Sequence, residues 1–158
     1  MQPSVGILAS INISWGGIPK QRVFEALVTE NGLDGDHQRD LRYHGGPERA
    51  VVLYSLDVIQ ALKRQGHPIG VGAVGENFTV SGLDWPAIVP GTELEIGAVR
   101  LLITTLRGTN TLRTVLPAAP NGLSRWVRGP PEKAPTRAIR LWDAASLCPL
   151  ASRVKKIH

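Results

Sequence analysis

Cysteine is nearly absent from this sequence of 158 residues, which contains one. A single cysteine excludes an intramolecular disulfide, and the four histidines show no spacing typical of a closed zinc site. No apolar run approaches the roughly 20 residues that cross a bilayer. No basic region precedes a hydrophobic one at the N-terminus, so no secretory signal is predicted. With 42% apolar and 20% charged residues, we expect a soluble, cytoplasmic, globular protein.

Acidic residues are scarce in the last third of the chain. Residues 100–158 hold eleven Lys and Arg against Glu132 and Asp143, a net charge of +9, whereas residues 1–99 carry a net charge of −4. Such a basic segment could follow nucleic-acid phosphates. It contains few aromatic residues and no known reading module, and charge runs usually form solvated faces. Nucleic-acid binding is therefore disfavoured and stays an alternative.

Short alternating or apolar runs with turn residues between them predict a mainly β fold, a barrel or sandwich, with one clear helix. The helix begins after Ser55, a good N-cap, and ends before Gly66. Thr136–Leu147 is a second candidate helix, in a C-terminal segment that is otherwise hard to assign. We expect a single domain over 1–158. The predicted strands are Val5–Ile13, Val23–Thr29, Ala50–Tyr54, Asn77–Val80, Thr92–Ile96 and Val99–Thr104.

The alternation in the first strand predicts which of its faces is buried. Its odd-numbered positions are apolar and should face the core. These positions are Val5, Ile7, Ala9, Ile11 and Ile13.

One glycine motif resembles a nucleotide-binding turn. Gly70, Gly72 and Gly75 match the GxGxxG spacing. That motif needs a strand before it and a helix after it, so that the phosphate meets a helix N-terminus. A Pro-containing loop precedes these glycines and a strand-like run follows them, so we assign no nucleotide site to them. The chain also has no GxSxG elbow of a serine hydrolase.

Polar residues gather among glycines between residues 16 and 77. Asp34 and Asp36 lie in a turn with Gly32 and Gly35, and His44-Gly-Gly-Pro-Glu-Arg49 follows. Glycine permits a positive φ and leaves backbone amides bare, which suits close approach to a ligand. A guanidinium at Arg49 could pair with a phosphate or with a loop carboxylate. Equally, Asp34, Asp36 and Arg49 could simply tie irregular loops together, because buried polar groups need partners regardless.

In their order and spacing, these strings resemble the MOSC domain family, the molybdenum-cofactor-sulfurase C-terminal domains, and in particular its small stand-alone bacterial members of the YiiM type. The resemblance covers about residues 4–104. The matching strings are Gly16-Gly-Ile-Pro-Lys20, Val28-Thr29, Gly32-Leu-Asp-Gly-Asp36, Asp40, His44-Gly-Gly-Pro-Glu-Arg-Ala-Val51, Tyr54, Gly75-Glu-Asn77 and Gly82-Leu83.

The resemblance implies a β-barrel that binds the molybdenum cofactor, an anionic pterin phosphate carrying the metal. It further implies reduction of N-hydroxylated small molecules, including hydroxylaminopurines, with electrons from a partner reductase. Lys20 and Arg49 would face phosphate, and Glu76 and Asn77 would offer polar contacts to the pterin. The residues that match positions lining or bracing the cofactor pocket are Lys20, Asp36, His44, Gly45, Gly46, Arg49, Glu76 and Asn77.

The cysteine of the family pattern is missing. It belongs to a Pro-Cys pair after the strand that corresponds to Val99–Thr104, and its thiolate is the expected ligand of molybdenum or sulfur. Asn110 is the nearest equivalent here, and Cys148 lies far downstream, where a small buried apolar role is the simpler interpretation. No catalytic residue or metal ligand is therefore assigned.

Three explanations of the missing cysteine stay open. The protein is a non-catalytic carrier or binder of the cofactor or another anion, or it ligates the metal through solvent or Cys148. Alternatively, residues 105–158 come from an altered reading frame, because the loss of the motif, the loss of acids and the rise in Arg and Pro coincide near residue 105. The coding DNA decides the last alternative.

Overall fold

A curled, mainly antiparallel sheet dominates the molecule. The structure, a computed structural model, describes residues 5–42, 44–97, 99–107, 124–128, 137–140 and 153–157. In chain order the elements are β1 (Val5–Ile13), β2 (Gln21–Val23), β3 (Glu25–Thr29), β4 (Gly32–Leu33), β5 (Val51–Ser55), α1 (Leu56–Arg64), β6 (Phe78–Ser81), β7 (Glu93–Ile96), β8 (Val99–Arg107), β9 (Ser124–Arg128), β10 (Arg137–Arg140) and β11 (Arg153–Lys156), with short 3-10 turns at Pro47–Arg49 and Trp85–Ala87.

Eight strands form the main sheet in the order β11-β7-β8-β9-β5-β6-β1-β2, and an additional pairing of β11 with β1 brings its two ends together. A smaller sheet has the order β10-β3-β4. The pair β5–β6 is parallel and the other pairs of named strands are antiparallel. The predicted class, a mainly β barrel-type fold with one clear helix, is confirmed over the described residues.

The parallel pair is where the sequence prediction was most accurate. All five residues of β5 are buried, as its continuous apolar run predicts. Ser55 caps α1, because its side-chain hydroxyl accepts a hydrogen bond from the Val58 amide at 3.3 Å. Ile59 and Leu62 of the helix pack with Tyr54 of β5. The helix α1 therefore lies in the connection between the parallel strands β5 and β6 and packs against β5.

The predicted inward face of β1 was wrong for its first half and right for Ile11, and the predicted bounds of the strand were right. Val5 and Ile7 are 43% and 56% exposed, whereas Leu8 and Ser10 are buried. The pairing of β1 with β6 shifts register between Leu8 and Ser10. A bulge adds one residue and therefore exchanges the two faces of a strand. Ile11 consequently turns inward with exposure of 0%.

The candidate helix at Thr136–Leu147 was also wrong where it is described. Residues Arg137–Arg140 form β10, which pairs antiparallel with β3. Helix caps and apolar spacing are weak local preferences, and a partner for an open strand edge outweighs them. The rest of that candidate lies outside the described residues. The single-domain organisation stays a prediction.

The interior of the curl is apolar. Both strands of the pairing that closes the sheet contribute to this interior, since Val154 of β11 and Leu8 of β1 belong to one cluster of buried side chains. In the part of the chain that is described, no helix is long and apolar enough to cross a membrane. Other members of this cluster are Ile11, Val28, Leu53, Phe78, Val80, Leu101 and Ile103.

Candidate functional site

A buried carboxylate, Asp36, is the centre of a polar network beside β1. It follows the turn after β4, and its side chain is 0% exposed. Its Oδ1 accepts the Ser14 backbone N–H at 2.8 Å. Its Oδ2 accepts from Lys20 Nζ at 2.5 Å, from Asn77 Nδ2 at 2.8 Å and from Gln38 Nε2 at 3.4 Å. A carboxylate with several donors can stay ionised in the interior, so Asp36 holds these segments together.

Lys20 takes part in this network through both its side chain and its backbone. Its side chain is 9% exposed and forms the ion pair with Asp36. Its backbone N–H donates to the Gly72 carbonyl oxygen at 2.9 Å. Gly72 has φ +82°, and a Cβ there would lie 2.1 Å from the Lys20 carbonyl oxygen. The second glycine of the GxGxxG string therefore permits close packing against Lys20.

Asn77 joins β5 to β1 immediately before β6. Its Oδ1 accepts the Val52 N–H at 3.1 Å, and its Nδ2 donates to the Asn12 carbonyl oxygen at 3.2 Å as well as to Asp36. The Asn77 backbone bonds the same two neighbours, with its N–H to Val52 and its carbonyl to Asn12. Its amide is thus saturated by the fold, which makes it a bracing residue.

Glu76 lies fully buried at the far side of the network. Its Oε1 accepts the Gly72 N–H at 2.6 Å and the Thr79 hydroxyl at 3.0 Å, while its Oε2 has no hydrogen-bond partner among the described residues. Burial raises the pKa of Glu76, against the opposing effect of these hydrogen bonds. The Tyr54 hydroxyl is likewise buried, with no partner in the described part of the chain, and burial, with the nearby Glu76 charge, raises its pKa to about 12.

The remaining predicted residues lie on the loop that precedes β5. The His44 N–H donates to the Asp40 carbonyl oxygen at 3.1 Å. Gly45, with φ +80°, lies against Gln38, since a Cβ there would be 3.0 Å from Gln38 Oε1. Through Gln38 this loop reaches Asp36.

Gly46 and Arg49 form the exposed end of this loop. Gly46 has φ +79°, and no atom of the described residues lies within 4 Å of where its Cβ would be. The Arg49 N–H donates to the Gly46 carbonyl oxygen at 3.0 Å, and the exposed guanidinium donates to the Arg42 carbonyl oxygen at 3.2 Å. Open space above a glycine backbone, on a loop that also carries an exposed guanidinium, fits an anionic group such as a phosphate.

The structure therefore divides the predicted site residues into two sets. Lys20, Asp36, Glu76 and Asn77 share the buried network, and His44, Gly45, Gly46 and Arg49 lie on the adjoining loop. Sequence reasoning missed Asn12, whose Nδ2 donates to Thr79 Oγ1 at 3.1 Å and to the Glu76 carbonyl oxygen at 3.3 Å. An asparagine within an apolar strand was the available signal.

The described residues contain no set of metal ligands. Within them, no three His, Cys, Asp or Glu side chains lie close enough together to hold a metal ion. Asn110 and Cys148 both lie outside the described residues. Among the described residues, Gly46 and Arg49 offer the groups that an anionic phosphate requires, an uncovered glycine backbone and a cationic donor.

Comparison with known proteins gives sequence relatives and a structural neighbour. A sequence model of the MOSC domain matches residues 40–126, more than half of the chain. The uncharacterized protein YflK of Bacillus subtilis (strain 168) is 36% identical over 69 residues, which are 42% of this chain and 31% of YflK. Protein YiiM of Escherichia coli (strain K12) is 36% identical over 63 residues, 37% of this chain and 28% of YiiM. The matches thus span less than a third of either relative's length.

One of the matching solved structures illustrates that the fold is shared. The crystal structure of YiiM from Geobacillus stearothermophilus superposes with a TM-score of 0.65 at 18% identity, over 97% of this chain and 75% of that one. The segment matched by the sequence model extends to residue 126, beyond the strings near residue 104 that carry the resemblance.

Proposed function

The chain belongs to the MOSC domain family, and from this premise we propose that it binds the molybdenum cofactor on the Gly45–Gly46 turn. In this proposal Arg49 donates hydrogen bonds to the phosphate of the cofactor. The carrying observation is the uncovered Gly46 backbone on a turn that also carries the exposed Arg49, whose backbone N–H donates to the Gly46 carbonyl oxygen. Gln38 connects this turn to the interior, because it lies against Gly45 and donates a hydrogen bond to the buried Asp36 carboxylate.

The two sets of residues have different tasks in this proposal. His44, Gly45, Gly46 and Arg49 line the binding surface, where backbone amides and a guanidinium meet negative charge. Lys20, Asp36, Glu76 and Asn77 brace that surface from the interior. Lys20 therefore acts through Asp36, since its ammonium is nearly buried against that carboxylate.

We further propose that the bound cofactor serves reduction of N-hydroxylated small molecules in the cytoplasm. When bound, the cofactor supplies a redox-active metal. Conversion of an N-hydroxyl group to an amine takes up two electrons and two protons and releases water, so a partner reductase must supply the electrons. The support is membership of the family and the anion-binding character of the turn.

Cofactor content tests the binding proposal. The protein is purified from a host that makes the cofactor, and its molybdenum and pterin are measured. A charge-assisted bond is worth about 1.5–3 kcal/mol, so Arg49→Ala should bind the cofactor about 10- to 100-fold more weakly. Arg64→Ala, which removes an exposed arginine at the end of α1, is the matched control and should change nothing. Wild-type protein without molybdenum or pterin would contradict the proposal.

A second candidate function is binding without turnover. It is favoured by Asn110, which stands nearest to the position of the family's thiolate. Cofactor-loaded protein is supplied with a chemical reductant and an N-hydroxylated purine, and amine formation is followed. Amine formation above the rate of cofactor-free protein supports the reductase, whereas none supports a carrier.

A further inference from the structure

Trp15 is exposed to an unusual degree for a tryptophan. The residue is 89% exposed and lies two positions after the end of β1. Its ring stacks on His37 with centroids 4.9 Å apart and planes 16° from parallel. One indole face therefore lies against the imidazole, while the rest of this large apolar surface faces solvent.

The stacked pair is attached directly to the Asp36 network. The residue before Trp15 is Ser14, whose N–H donates to Asp36 Oδ1 at 2.8 Å. The residue after Asp36 is His37, whose N–H donates to the Ser14 carbonyl oxygen at 2.7 Å. Trp15 and His37 also form an isolated parallel bridge. The position of the indole is consequently set by the same carboxylate that anchors the proposed binding loop.

A cation lies beside this pair. Arg39 is exposed, and its Nε donates to the Gly16 carbonyl oxygen at 3.2 Å, which keeps its guanidinium next to the residue that follows Trp15. An exposed indole with an adjacent guanidinium is suited to a flat, π-rich ring, because both groups stack on aromatic faces. A flexible apolar patch would suit a protein partner better.

We propose that Trp15, backed by His37, is the stacking platform for the planar heterocycle of the substrate, and that it selects aromatic over aliphatic N-hydroxylated compounds. The part of this inference that concerns the N-hydroxyl group of the substrate rests on the proposed function. The preference for a planar ring rests on the indole and its surroundings alone. His37 is a positioning residue, since it holds the indole and need not touch the ligand.

Ring binding tests the platform independently of cofactor loading. The affinity of the full chain for adenine is measured by isothermal titration calorimetry, with N-methylhydroxylamine as an aliphatic probe. Stacking on an aromatic side chain predicts about a 5- to 100-fold loss of adenine affinity in Trp15→Ala. Trp15→Phe should retain most of the affinity, and His37→Ala should lose part of it. Phe24→Ala removes another exposed aromatic ring, 78% exposed, and should have no effect.

The outcomes separate this inference from the proposed function. If wild-type protein does not bind adenine, or if Trp15→Ala binds it equally well, the platform is wrong even in protein that contains molybdenum. If Trp15→Ala loses adenine binding in protein that never acquires the cofactor, the platform stands and the proposed function fails. A wild-type dimer that Trp15→Ala converts to a monomer, with adenine affinity unchanged, would assign this surface to self-association and overturn the inference.

Discussion

Removing the Asp36 carboxylate should destabilise the fold more than removing its counter-ion. Asp36→Ala leaves the Lys20 ammonium, on a side chain 9% exposed, without the acceptor that neutralises it. It also leaves the buried Asn77 amide without one of its two acceptors. Breaking a buried ion pair from one side costs about 3–5 kcal/mol. We therefore expect the free energy of unfolding to fall by about 3–5 kcal/mol.

Lys20→Met removes the other partner and should cost less. The Asp36 carboxylate then still accepts from Ser14, Asn77 and Gln38, so its charge remains solvated by the fold. The loss is close to one charge-assisted hydrogen bond, about 1.5–3 kcal/mol. The double variant has no stranded ammonium, so its cost should be well below the sum of the single costs.

Urea unfolding followed by circular dichroism measures all three variants. Asp34→Ala is the matched control, since it removes an exposed carboxylate from the same turn and should change the free energy of unfolding by at most about 0.5 kcal/mol. Equal costs for the two single variants, or costs that add within about 0.5 kcal/mol, would refute the central role of Asp36.

Three further predictions concern the packing, the ionisation and the closure of the sheet. Gly72→Ala brings a Cβ to 2.1 Å from the Lys20 carbonyl oxygen, whereas Gly66→Ala has a similar φ of +87° and open space. Thermal melting should show a larger loss for Gly72→Ala than the roughly 1–2 kcal/mol of left-handed strain alone. Burial raises the pKa of Glu76, so its stabilising effect is complete below the ordinary pKa and is lost as pH rises through the folded value. Denaturant titrations across pH should show this decline in wild type and not in Glu76→Gln, and an unchanged decline in the variant would contradict it. Val154 of β11 is 0% exposed, so Val154→Ala should cost about 2 kcal/mol in urea unfolding if residues 153–157 are a native continuation, and nothing if they are not.

Local signals predicted the elements whose stability is local. The Ser55 cap and the apolar spacing of Ile59 and Leu62 are contained in ten residues, so α1 was found with its correct start. The inward face of β1 depends on a bulge opposite β6, which lies about 70 residues later in the chain and leaves no trace in the alternation. The strand at Arg137–Arg140 depends in the same way on β3, more than a hundred residues earlier.

The candidate site was predicted in part for a similar reason. A positive φ favours glycine, so residue type alone indicates such positions in a sequence. Gly45 and Gly46 were found for this reason. The network partners Ser14 and Val52 contribute backbone N–H groups, which every residue except proline carries and which no sequence pattern distinguishes. Residue type alone also could not show that Lys20 pairs with Asp36 and Arg49 lies on the exposed loop.

Asp36 couples the stability of the fold to the shape of the proposed binding surface. Its Oδ1 fixes Ser14, and with it Trp15, while its Oδ2 holds Gln38 against Gly45. A variant of Asp36 that loses binding therefore cannot be interpreted as loss of a ligand contact, because both surface segments lose their anchor. Arg49 and Trp15 are exposed, so their removal should leave the free energy of unfolding within about 0.5 kcal/mol of wild type. Loss of cofactor in Arg49→Ala, or of adenine in Trp15→Ala, with unfolding unchanged, is consequently the result that identifies direct contact.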